Sequence, residues 1–415
     1  MGGIERGGVG RAYADELRSD LTVRSVPRPA PVRLTRLRLT DFRAHAASEI
    51  HPAPAVNLVV GPNGAGKTNL LEAIGYLCLG KSILSSRDAH VARRGADHFE
   101  VEGDLEGDTR AEYQARLVTV PGEGKRAFIN RVPLDRIVDL VGRTPVVTLS
   151  PGDYELTAGG PAERRRFLDA TLGQASPVYL DDLVQYRRAL RQRNALLQQV
   201  RRGRSLPPGT LAAWDEEVAV LGGRITARRH SFVELFAPFL ETAFTKLGEP
   251  GEPLDLEYSP SVSFDDPGRA EDALRQALEK SRRRSQETGR TFYGPHLDEV
   301  IFRIGGHELR LYGSHGQHRT FALTTRIAQA LYLTETTDER PILLLDDVFG
   351  PLDPERTRLI VALLASGTIG QSFVTAASEE PFLPLLEFQD LSHTLLHVER
   401  GTIRSSHTGP TYAQS

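Results

Sequence analysis

The spacing of apolar and polar residues near the start of the chain predicts a strand, a loop and a helix in succession. Apolar and polar residues alternate over 36–40, which is typical of a half-buried strand. The apolar run 57–60 predicts a second, buried strand, and it leads directly into a glycine-rich segment. After that segment, apolar side chains recur at helical spacing over 68–79. We therefore expect a strand, a glycine-rich loop and a helix between residues 57 and 79.

Residues 98–148 have a different pattern, which predicts antiparallel strands. Alternating stretches over 112–120 and 126–129 are separated by the glycine-rich turn 121–124. The segment 149–153 interrupts this pattern and begins a mainly helical region. We expect a small antiparallel β layer beside the sheet that carries the glycine-rich loop.

Two apolar faces at helical spacing follow, and they predict a helical hairpin. One face runs through 183–197 and is surrounded by arginines, and the other runs through 211–236. The segment 203–209 contains glycines and two adjacent prolines, so it ends the first helix. Each arm has roughly thirty residues, which excludes a long coiled coil.

The last third of the chain alternates between helix and strand patterns. After a loop-rich connection over 248–268, we expect a helix over 268–287, strands over 299–304 and 308–311, a helix over 317–333, a strand over 342–345, a helix over 355–364 and a strand over 372–375. These segments imply that the first and last thirds share one sheet. The predicted division is an α/β lobe formed by 31–155 and 290–405, a helical lobe over 156–289, a disordered leader over 1–30 and a tail over 406–415.

The glycine-rich segment matches the phosphate-binding pattern G-x-x-x-x-G-K-[ST]. It reads Gly61-Pro62-Asn63-Gly64-Ala65-Gly66-Lys67-Thr68. In this pattern backbone N–H groups surround the phosphates, Lys67 reaches the β- and γ-phosphates, and the Thr68 hydroxyl ligates Mg²⁺. The N-terminal dipole of the following helix favours the same negative charge. The alternative is a chance glycine-rich turn, but the flanking strand and helix that the pattern requires are both predicted, so we expect an ATP site.

The apolar strand over 342–345 ends in two carboxylates, Asp346 and Asp347. This is the pattern of a buried parallel strand that presents acids at its carboxyl end. Asp346 is expected in the Mg²⁺ shell, and Asp347 is expected to polarise the attacking water as general base. Taken alone, the segment could also be a strand that ends in a polar turn. Beside a triphosphate, two acids require a divalent cation, so Mg²⁺ is implied.

Composition narrows the class of protein without identifying it. The chain has 415 residues, of which 40% are hydrophobic and 25% are charged, as in an ordinary soluble protein. Its apolar runs are far shorter than the roughly 20 residues that a membrane helix needs. A single cysteine, Cys78, excludes an internal disulfide and fits a reducing cytoplasm. The net charge of -3 gives no overall argument for nucleic-acid binding.

The segment before the predicted helix 317–333 reads Leu311-Tyr312-Gly313-Ser314-His315-Gly316-Gln317-His318-Arg319-Thr320. It resembles the signature of ABC-type ATPases, in the version of the RecF recombination-mediator family. Further matches are Asp41-Phe42-Arg43, the stretch from Gly66 to Ile74, Leu149-Ser150-Pro151-Gly152-Asp153, the stretch from Gly160 to Asp169, the stretch from Gln192 to Leu197, and Gly294-Pro295-His296. Together these matches extend over most of the chain.

The resemblance implies an α/β fold: a P-loop NTPase of the ABC and SMC-like head type with an antiparallel β layer, plus a mainly helical lobe with a short hairpin. It implies a homodimer that sandwiches ATP, with Ser314 and Gly316 meeting the γ-phosphate held by Lys67 of the other copy. Asn69 would join the nucleotide site, and Asp353 would lie in a loop that crosses the dimer interface. For Ser314 the alternative is an ordinary helix-capping turn.

In function, the resemblance implies a cytoplasmic, ATP-dependent DNA-binding protein of recombinational repair and replication-fork maintenance, linked to the SOS response. It would hydrolyse ATP slowly and help RecO and RecR to load recombinase at gapped DNA. An ATPase subunit of a membrane transporter and a phosphotransferase are the alternatives. The transporter hypothesis is disfavoured because residues 375–377 contain no switch histidine. A second departure is Asp347, which occupies a position at which ABC proteins commonly have glutamate. Leu297 occupies a position at which relatives usually have arginine.

Two runs of arginine are candidate contacts for the DNA backbone. They are Arg164, Arg165, Arg166 and Arg282, Arg283, Arg284. No base-reading motif is evident, so we expect contacts that do not depend on sequence. The ordinary alternative for each run is a solvated or internally paired face, and acidic residues do flank the first run.

Overall fold

The computed structural model describes residues 33–85, 87–107, 112–247, 252–350, 353–388 and 391–405. The predicted leader, the predicted tail, and Pro351 and Leu352 lie outside these residues. The chain groups into two compact units. The α/β unit contains the described parts of Pro29–Glu155, Pro238–Glu252 and Ser314–Ser415, and the helical unit contains Leu156–Ala237 and Pro253–Gly313.

The strands, in chain order, are β1 Arg33–Phe42, β2 His45–Ile50, β3 Val56–Val60, β4 Phe99–Glu106, β5 Tyr113–Val120, β6 Gly124–Ile129, β7 Val132–Pro133, β8 Val146–Leu149, β9 Leu254–Ser259, β10 Glu299–Ile304, β11 His307–Glu308, β12 Ile342–Leu345, β13 Ser372–Ala376, β14 His393–Glu399 and β15 Thr402–Ser405. The α-helices are α1 Lys67–Leu79, α2 Tyr154–Ala158, α3 Pro161–Ala175, α4 Pro177–Arg201, α5 Thr210–Lys246, α6 Ala270–Lys280, α7 Arg282–Thr288, α8 Leu309–Tyr312, α9 His315–Thr337 and α10 Pro354–Ala365.

The central sheet of the α/β unit has the strand order β15-β14-β3-β13-β12-β8. Its strands pair in parallel, except that β15 pairs antiparallel with β14. Every residue of β3, β12 and β13 is buried, as expected for a sheet that is covered on both faces. The prediction that the first and last thirds of the chain share one sheet is confirmed, since β3 lies between β13 and β14.

A second sheet of the α/β unit is antiparallel and has the order β2-β1-β4-β5-β6-β7. It contains the predicted β layer over 98–148, except that β8 pairs in parallel with β12 in the central sheet, so the prediction is wrong for the last residues of that range. Helix α1 contacts strands of both sheets and shares one hydrophobic core with them. Phe42, Tyr76 and Phe99 meet edge to face in that core, with ring centroids 5.4–6.0 Å apart. Cys78 is buried in the same core.

The helical unit is built around α4 and α5, the two arms of the predicted hairpin. Phe167 packs edge to face on Phe232 and Phe236. Arg229 of α5, only 2% exposed, forms ion pairs with Asp169 and Asp298. These buried charges tie α3, α5 and the segment before β10 together. No helix of the described residues is long and apolar enough to cross a membrane.

Three sequence predictions are wrong in this part of the chain. The predicted loop 248–268 contains β9, which pairs with β10 although Leu256 is its only buried residue. The predicted strand 308–311 is instead the end of the two-residue strand β11 and then the short helix α8. The predicted helix 268–287 divides at Ser281 into α6 and α7.

The two units also divide the chain differently from the predicted lobes. Residues 290–313 belong to the helical unit because β10 pairs with β9 along its full length. Residues 238–252 belong to the α/β unit, where the Phe239 ring contacts the Tyr332 ring of α9 at 5.7 Å. Both differences follow from tertiary contacts that join segments far apart in sequence.

Candidate nucleotide-binding site

The glycine-rich loop connects the end of β3 to the first residue of α1, as the sequence predicts. Gly61, Gly64 and Gly66 have φ angles of 154°, 78° and 114°. At Gly61 a Cβ atom would lie 2.2 Å from the carbonyl oxygen of Val398, so no larger residue fits. Gly66 caps α1 in the left-handed conformation. The exposed stretch Pro62 to Gly64 leaves the loop open to solvent, which is the geometry that receives phosphate oxygens at a helix N-terminus.

Behind the loop lies His45, a fully buried residue that sequence reasoning missed. Its Nδ1 lies 2.9 Å from the carbonyl oxygen of Gly401, and its Nε2 lies 3.2 Å from that of Gly66. The Gly401 N–H in turn donates to the Ala65 carbonyl oxygen at 2.9 Å. Burial lowers the pKa of His45, and its hydrogen bonds to the two carbonyl oxygens oppose this shift. The β14–β15 turn and β2 therefore support the loop from below.

Two side chains of the loop, Lys67 and Thr68, make polar contacts at the loop and at the acidic strand end. The Lys67 ammonium donates to the carbonyl oxygens of Gly61 and Pro62 at 2.6 and 3.2 Å, so it lies across the mouth of the loop. The Thr68 hydroxyl donates to Oδ1 of Asp346 at 3.0 Å. Asn69 follows on α1 and is half-buried. The predicted contact between the loop and the acidic strand end is thus made by Thr68 and Asp346.

The acidic strand end is held in a fixed arrangement. The Asp346 N–H donates to the carbonyl oxygen of Leu149 on the neighbouring strand β8, at 2.8 Å. Asp347 is exposed and has a positive φ of 50°. It also lines a cavity of about 390 Å³ together with Tyr154, His315 and other residues of the α/β unit.

Thr375, at the end of β13, joins the two acids, and sequence reasoning missed it. Its hydroxyl donates to Oδ1 of Asp346 at 2.8 Å and accepts a hydrogen bond from the backbone N–H of Asp347, also at 2.8 Å. The side chain is 1% exposed. The sequence showed only that this position lacks a switch histidine. The contacts of Thr375 arise because β13 lies next to β12, the strand that ends just before Asp346.

The residues present fit a magnesium ion. Mg²⁺ is usually held in nucleotide sites by one or two protein oxygens, with phosphates and waters completing the shell. The Thr68 hydroxyl and the Asp346 carboxylate supply two such oxygens next to the phosphate loop. Within the described residues, no group of three or more His, Cys, Asp or Glu residues could hold a metal without such help.

The signature segment places Ser314 at the exposed N-cap of α9. Its hydroxyl accepts from the Gln317 N–H at 3.2 Å, and the Gln317 side chain accepts from the Ser314 N–H at 2.8 Å. The helix-capping turn that the sequence allowed is therefore present. Ser314, His315 and Gly316 are all exposed. A capped turn of this kind presents the N-terminus of a 23-residue helix to solvent, where its dipole attracts anions.

Tyr154 and Asp353 complete this surface of the α/β unit. The Tyr154 hydroxyl lies 3.1 Å from Nδ1 of His315 and so connects the signature to the segment after β8. The Asp353 side chain caps α10 and accepts hydrogen bonds from the backbone N–H groups of Arg356 and Glu355. The bond from Arg356 is the main cause of the lowered pKa of Asp353. Among the described residues, no hydrogen bond or ion pair joins Ser314 or Asp353 to the phosphate loop.

The first arginine run does not form an open basic surface. Arg164 is 3% exposed, and its guanidinium donates to Glu299 at 2.8 Å. Arg165 donates to the carbonyl oxygen of Asp298 at 2.7 Å. Arg166 is exposed but pairs with Glu163 at 2.5 Å. The structure therefore agrees with the alternative for this run, an internally paired face. Arg164 is not available to a phosphate.

The second run is more open. Arg282 pairs with Asp215 at 3.2 Å, but Arg283 and Arg284 are exposed. The guanidinium of Arg284 lies over the ring of Phe292, 4.1 Å from its centroid.

Two of the segments that carry the resemblance are structural. Arg43 makes a bidentate pair with the fully buried Glu72 of α1, both bonds 2.7 Å long. His296 is half-buried in the helical unit with its Nδ1 2.6 Å from the Tyr186 hydroxyl, and burial lowers its pKa to about 4. Leu297 beside it is 47% exposed and has no assigned role.

Comparison with known sequences adds independent evidence. A family model described as an AAA domain matches residues 36–175. The chain is 46% identical over 387 residues to the DNA replication and repair protein RecF of Salinibacter ruber, covering 92% of this chain and 94% of that one. It is 40% identical over 355 residues to the protein of the same name from Chloroherpeton thalassium, covering 85% and 96%.

Solved structures agree. A structure described as the recombination mediator protein RecF-ATP in the RecFOR pathway matches with a TM-score of 0.83 and 27% identity, covering 91% of this chain and 99% of that one. An Smc head domain from Pyrococcus furiosus matches with a TM-score of 0.53 and 16% identity over 90% of this chain and 96% of that one, and shows the fold alone. The predicted ABC-type head with an antiparallel layer and a helical lobe is thus confirmed. At these identities over most of its length, the chain belongs to the RecF family of DNA replication and repair proteins.

Proposed function

We propose that the protein is an ATP-gated DNA-binding ATPase, in which ATP and Mg²⁺ bind at the phosphate loop and close a dimer of two copies on DNA. The observation that carries this proposal is the hydrogen-bonded group Thr68, Asp346 and Thr375, which joins the loop to the acidic strand end. In a P-loop protein these two elements hold the metal and the phosphates.

The nucleotide step depends on charge neutralisation. Lys67 releases its bonds to the loop carbonyls and takes the β- and γ-phosphates, while backbone N–H groups of the loop and the N-terminus of α1 stabilise the remaining charge. Thr68 and Asp346 would hold Mg²⁺, whose positive charge would offset that of the phosphates and of the two acids. Asn69, next along α1, borders the same phosphates.

The dimer step depends on the exposed signature. Ser314 offers a hydroxyl, and Gly316 has no side chain to block a phosphate: a Cβ there would have only the Ser314 hydroxyl within 4 Å, at 3.9 Å. These groups have no partner in the phosphate loop of their own chain among the described residues. They would meet the γ-phosphate bound by a second copy, with Asp353 near the same interface.

Hydrolysis is expected to be slow. Asp347 would act as general base on a water that enters from the adjoining cavity of about 390 Å³. Its carboxylate is one methylene shorter than that of a glutamate, so it would polarise this water from a greater distance. Slow hydrolysis would keep the dimer closed on DNA for long enough to act.

On DNA, the closed dimer would contact the phosphate backbone of duplex or gapped DNA without reading its sequence. By its family, the protein would then act with RecR and RecO to help load recombinase at gaps during repair and replication. These roles are proposals that rest on family membership and on the ATP-dependent dimer.

Sedimentation velocity with and without ATP and Mg²⁺ tests the proposal. We expect ATP to convert the protein from monomer to dimer, and we expect Ser314→Arg to bind ATP normally but to remain monomeric. Ser176→Arg is the matched control, because Ser176 caps α4 through an equally long bond of 3.2 Å to the Tyr179 N–H. An ATP-dependent dimer of the Ser314→Arg variant, equal to that of the control, would disprove the proposed interface.

A further inference from the structure

Two segments of the helical unit concentrate positive charge in a chain whose net charge is -3. Residues 183–214 contain seven arginines and no acidic residue. Residues 280–297 contain one lysine and four arginines, with Glu287 as the only acid. Arg187 and Arg193 pair with Asp169 and Asp215, so any surplus of positive charge at the surface must come from the other arginines.

The structure brings the two segments together. The Gln198 side chain of α4 donates to the carbonyl oxygen of Gly289 at 2.9 Å, and the Thr291 N–H donates to the Asn194 side chain, also at 2.9 Å. At Gly289 a Cβ atom would lie 3.2 Å from Cδ of Arg201. The end of α4 therefore lies directly beside the turn that follows α7.

Phe292 organises the arginines at this junction. The guanidinium carbons of Arg284 and Arg290 lie 4.1 and 5.0 Å from the centroid of its ring. A cation over an aromatic face is attracted by the negative potential of the ring. The Phe292 ring thus holds both guanidinium groups in place. Because the ring is neutral, it does not neutralise their positive charge.

Five arginines at this junction have no acidic partner among the residues that the structure describes. We define the arginine face as Arg201, Arg202, Arg204, Arg284 and Arg290. All five are exposed, and none forms an ion pair with another described residue. Arg283, by contrast, pairs with Glu287 at 2.9 Å and is left out.

We propose that the arginine face binds the phosphate backbone of duplex nucleic acid. This inference rests on the proposed function and names the surface that performs its DNA step. Guanidinium groups match phosphate oxygens in geometry and charge. A protein partner is less suited, because protein interfaces have an apolar centre, and no large exposed apolar side chain belongs to this face. The paired run Arg164 to Arg166 is excluded from the contact.

The test measures binding of the full chain to a short duplex of mixed sequence, to single strands and to polyglutamate, each across a salt series. Duplex binding should show a log-log salt slope of about -0.9 per phosphate neutralised, against about -0.7 for single strands. The variant carries Arg202→Gln, Arg284→Gln and Arg290→Gln. We expect its duplex slope to fall in magnitude by about 2 to 3, with at least about tenfold weaker binding at moderate salt.

The control variant carries Arg136→Gln, Arg166→Gln and Arg358→Gln, which removes the same charge from three arginines that are 55%, 71% and 64% exposed. A third variant with lysine at positions 202, 284 and 290 keeps the charge and should retain most of the slope. Nucleotide affinity and the unfolding midpoint of each variant check that the fold is intact.

The outcomes separate the two proposals. If the wild type binds duplex and the arginine-face variant keeps the full slope, or loses no more than the control, the surface is wrong while DNA binding stands. If the wild type binds no DNA, the proposed function itself fails. Tighter binding to polyglutamate than to duplex would overturn the nucleic-acid assignment in favour of an acidic protein.

Discussion

Replacing Thr375 with valine tests whether the acidic strand end is positioned from β13. Valine has nearly the same shape, so it fills the same space and only removes the hydroxyl. Asp346 then loses one of the two hydroxyl donors to its Oδ1, and the Asp347 N–H loses its acceptor. A hydrogen bond to a charged group contributes about 1.5–3 kcal/mol. We therefore expect the free energy of unfolding to fall by about 2 kcal/mol.

The same change should alter the response to magnesium. With one anchor gone, Asp346 can turn away from the metal position, so half-maximal ATP turnover should need several-fold more Mg²⁺. Nucleotide binding measured without Mg²⁺ should be unchanged, because Lys67 and the loop glycines do not contact Thr375. Thr375→Ser, which restores the hydroxyl, should recover the wild-type magnesium dependence.

Thr394→Val is the matched control for Thr375→Val. Thr394 is a buried threonine of β14, on the other side of β3 in the same sheet. It is 4% exposed, and its hydroxyl lies 3.3 Å from that of Ser405. Urea unfolding and a magnesium titration of turnover are run on all four proteins. If Thr375→Val needs no more Mg²⁺ than Thr394→Val, then Thr375 is merely a core residue and the reasoning is refuted.

Three further predictions concern other parts of the chain. Asp347→Asn should bind ATP and form a persistent dimer while turnover falls by about 10²-fold or more, as for loss of a general base; normal turnover would remove Asp347 from that role. Arg43→Met should lower the free energy of unfolding by about 3 kcal/mol, because the buried Glu72 carboxylate loses its cationic partner and keeps the hydrogen bond from the Ser82 hydroxyl. Adding Glu72→Gln should recover much of this loss in urea unfolding, and no recovery would contradict the pairing argument. The pKa of His296 is about 4 in the folded protein and about 6.5 in the unfolded chain, so the unfolded chain binds the proton first and the free energy of unfolding should fall as pH drops from 6.5 towards 4. His296→Gln should flatten this decline. An equal decline in both proteins would show that His296 is not its source.

The strongest sequence patterns gave the most accurate structural predictions. The run 342–345 coincides with β12, because four consecutive apolar residues followed by acids suit a strand that is buried on both faces. The phosphate loop is similarly specified, since its glycines are required by backbone geometry. Strand β9 escaped detection because only one of its residues is buried, and its pairing with β10 is a long-range contact.

The role of a side chain was harder to predict where it depends on the direction in which that side chain points. Consecutive residues on a helix point about 100° apart, so the run Arg164 to Arg166 on α3 cannot present all its charges to one partner. Arg164 faces the core and Arg166 faces solvent. For Thr375, the sequence gave the residue type, but its contacts depend on the register of β13 beside β12. Such information exists only once the strands are paired.

The central sheet has a consequence for the order of folding during synthesis. Strand β3, which leads into the phosphate loop, hydrogen-bonds to β13 and β14, so Val56 lies opposite both Ser372 and His393. Contacts across such sequence distances are slow to form, and domains fold as their chains emerge from the ribosome. The phosphate loop is therefore not fully supported by β13 and β14 until these strands have left the ribosome. A nascent chain that stalls before residue 393 would display the motif but could not yet bind a nucleotide.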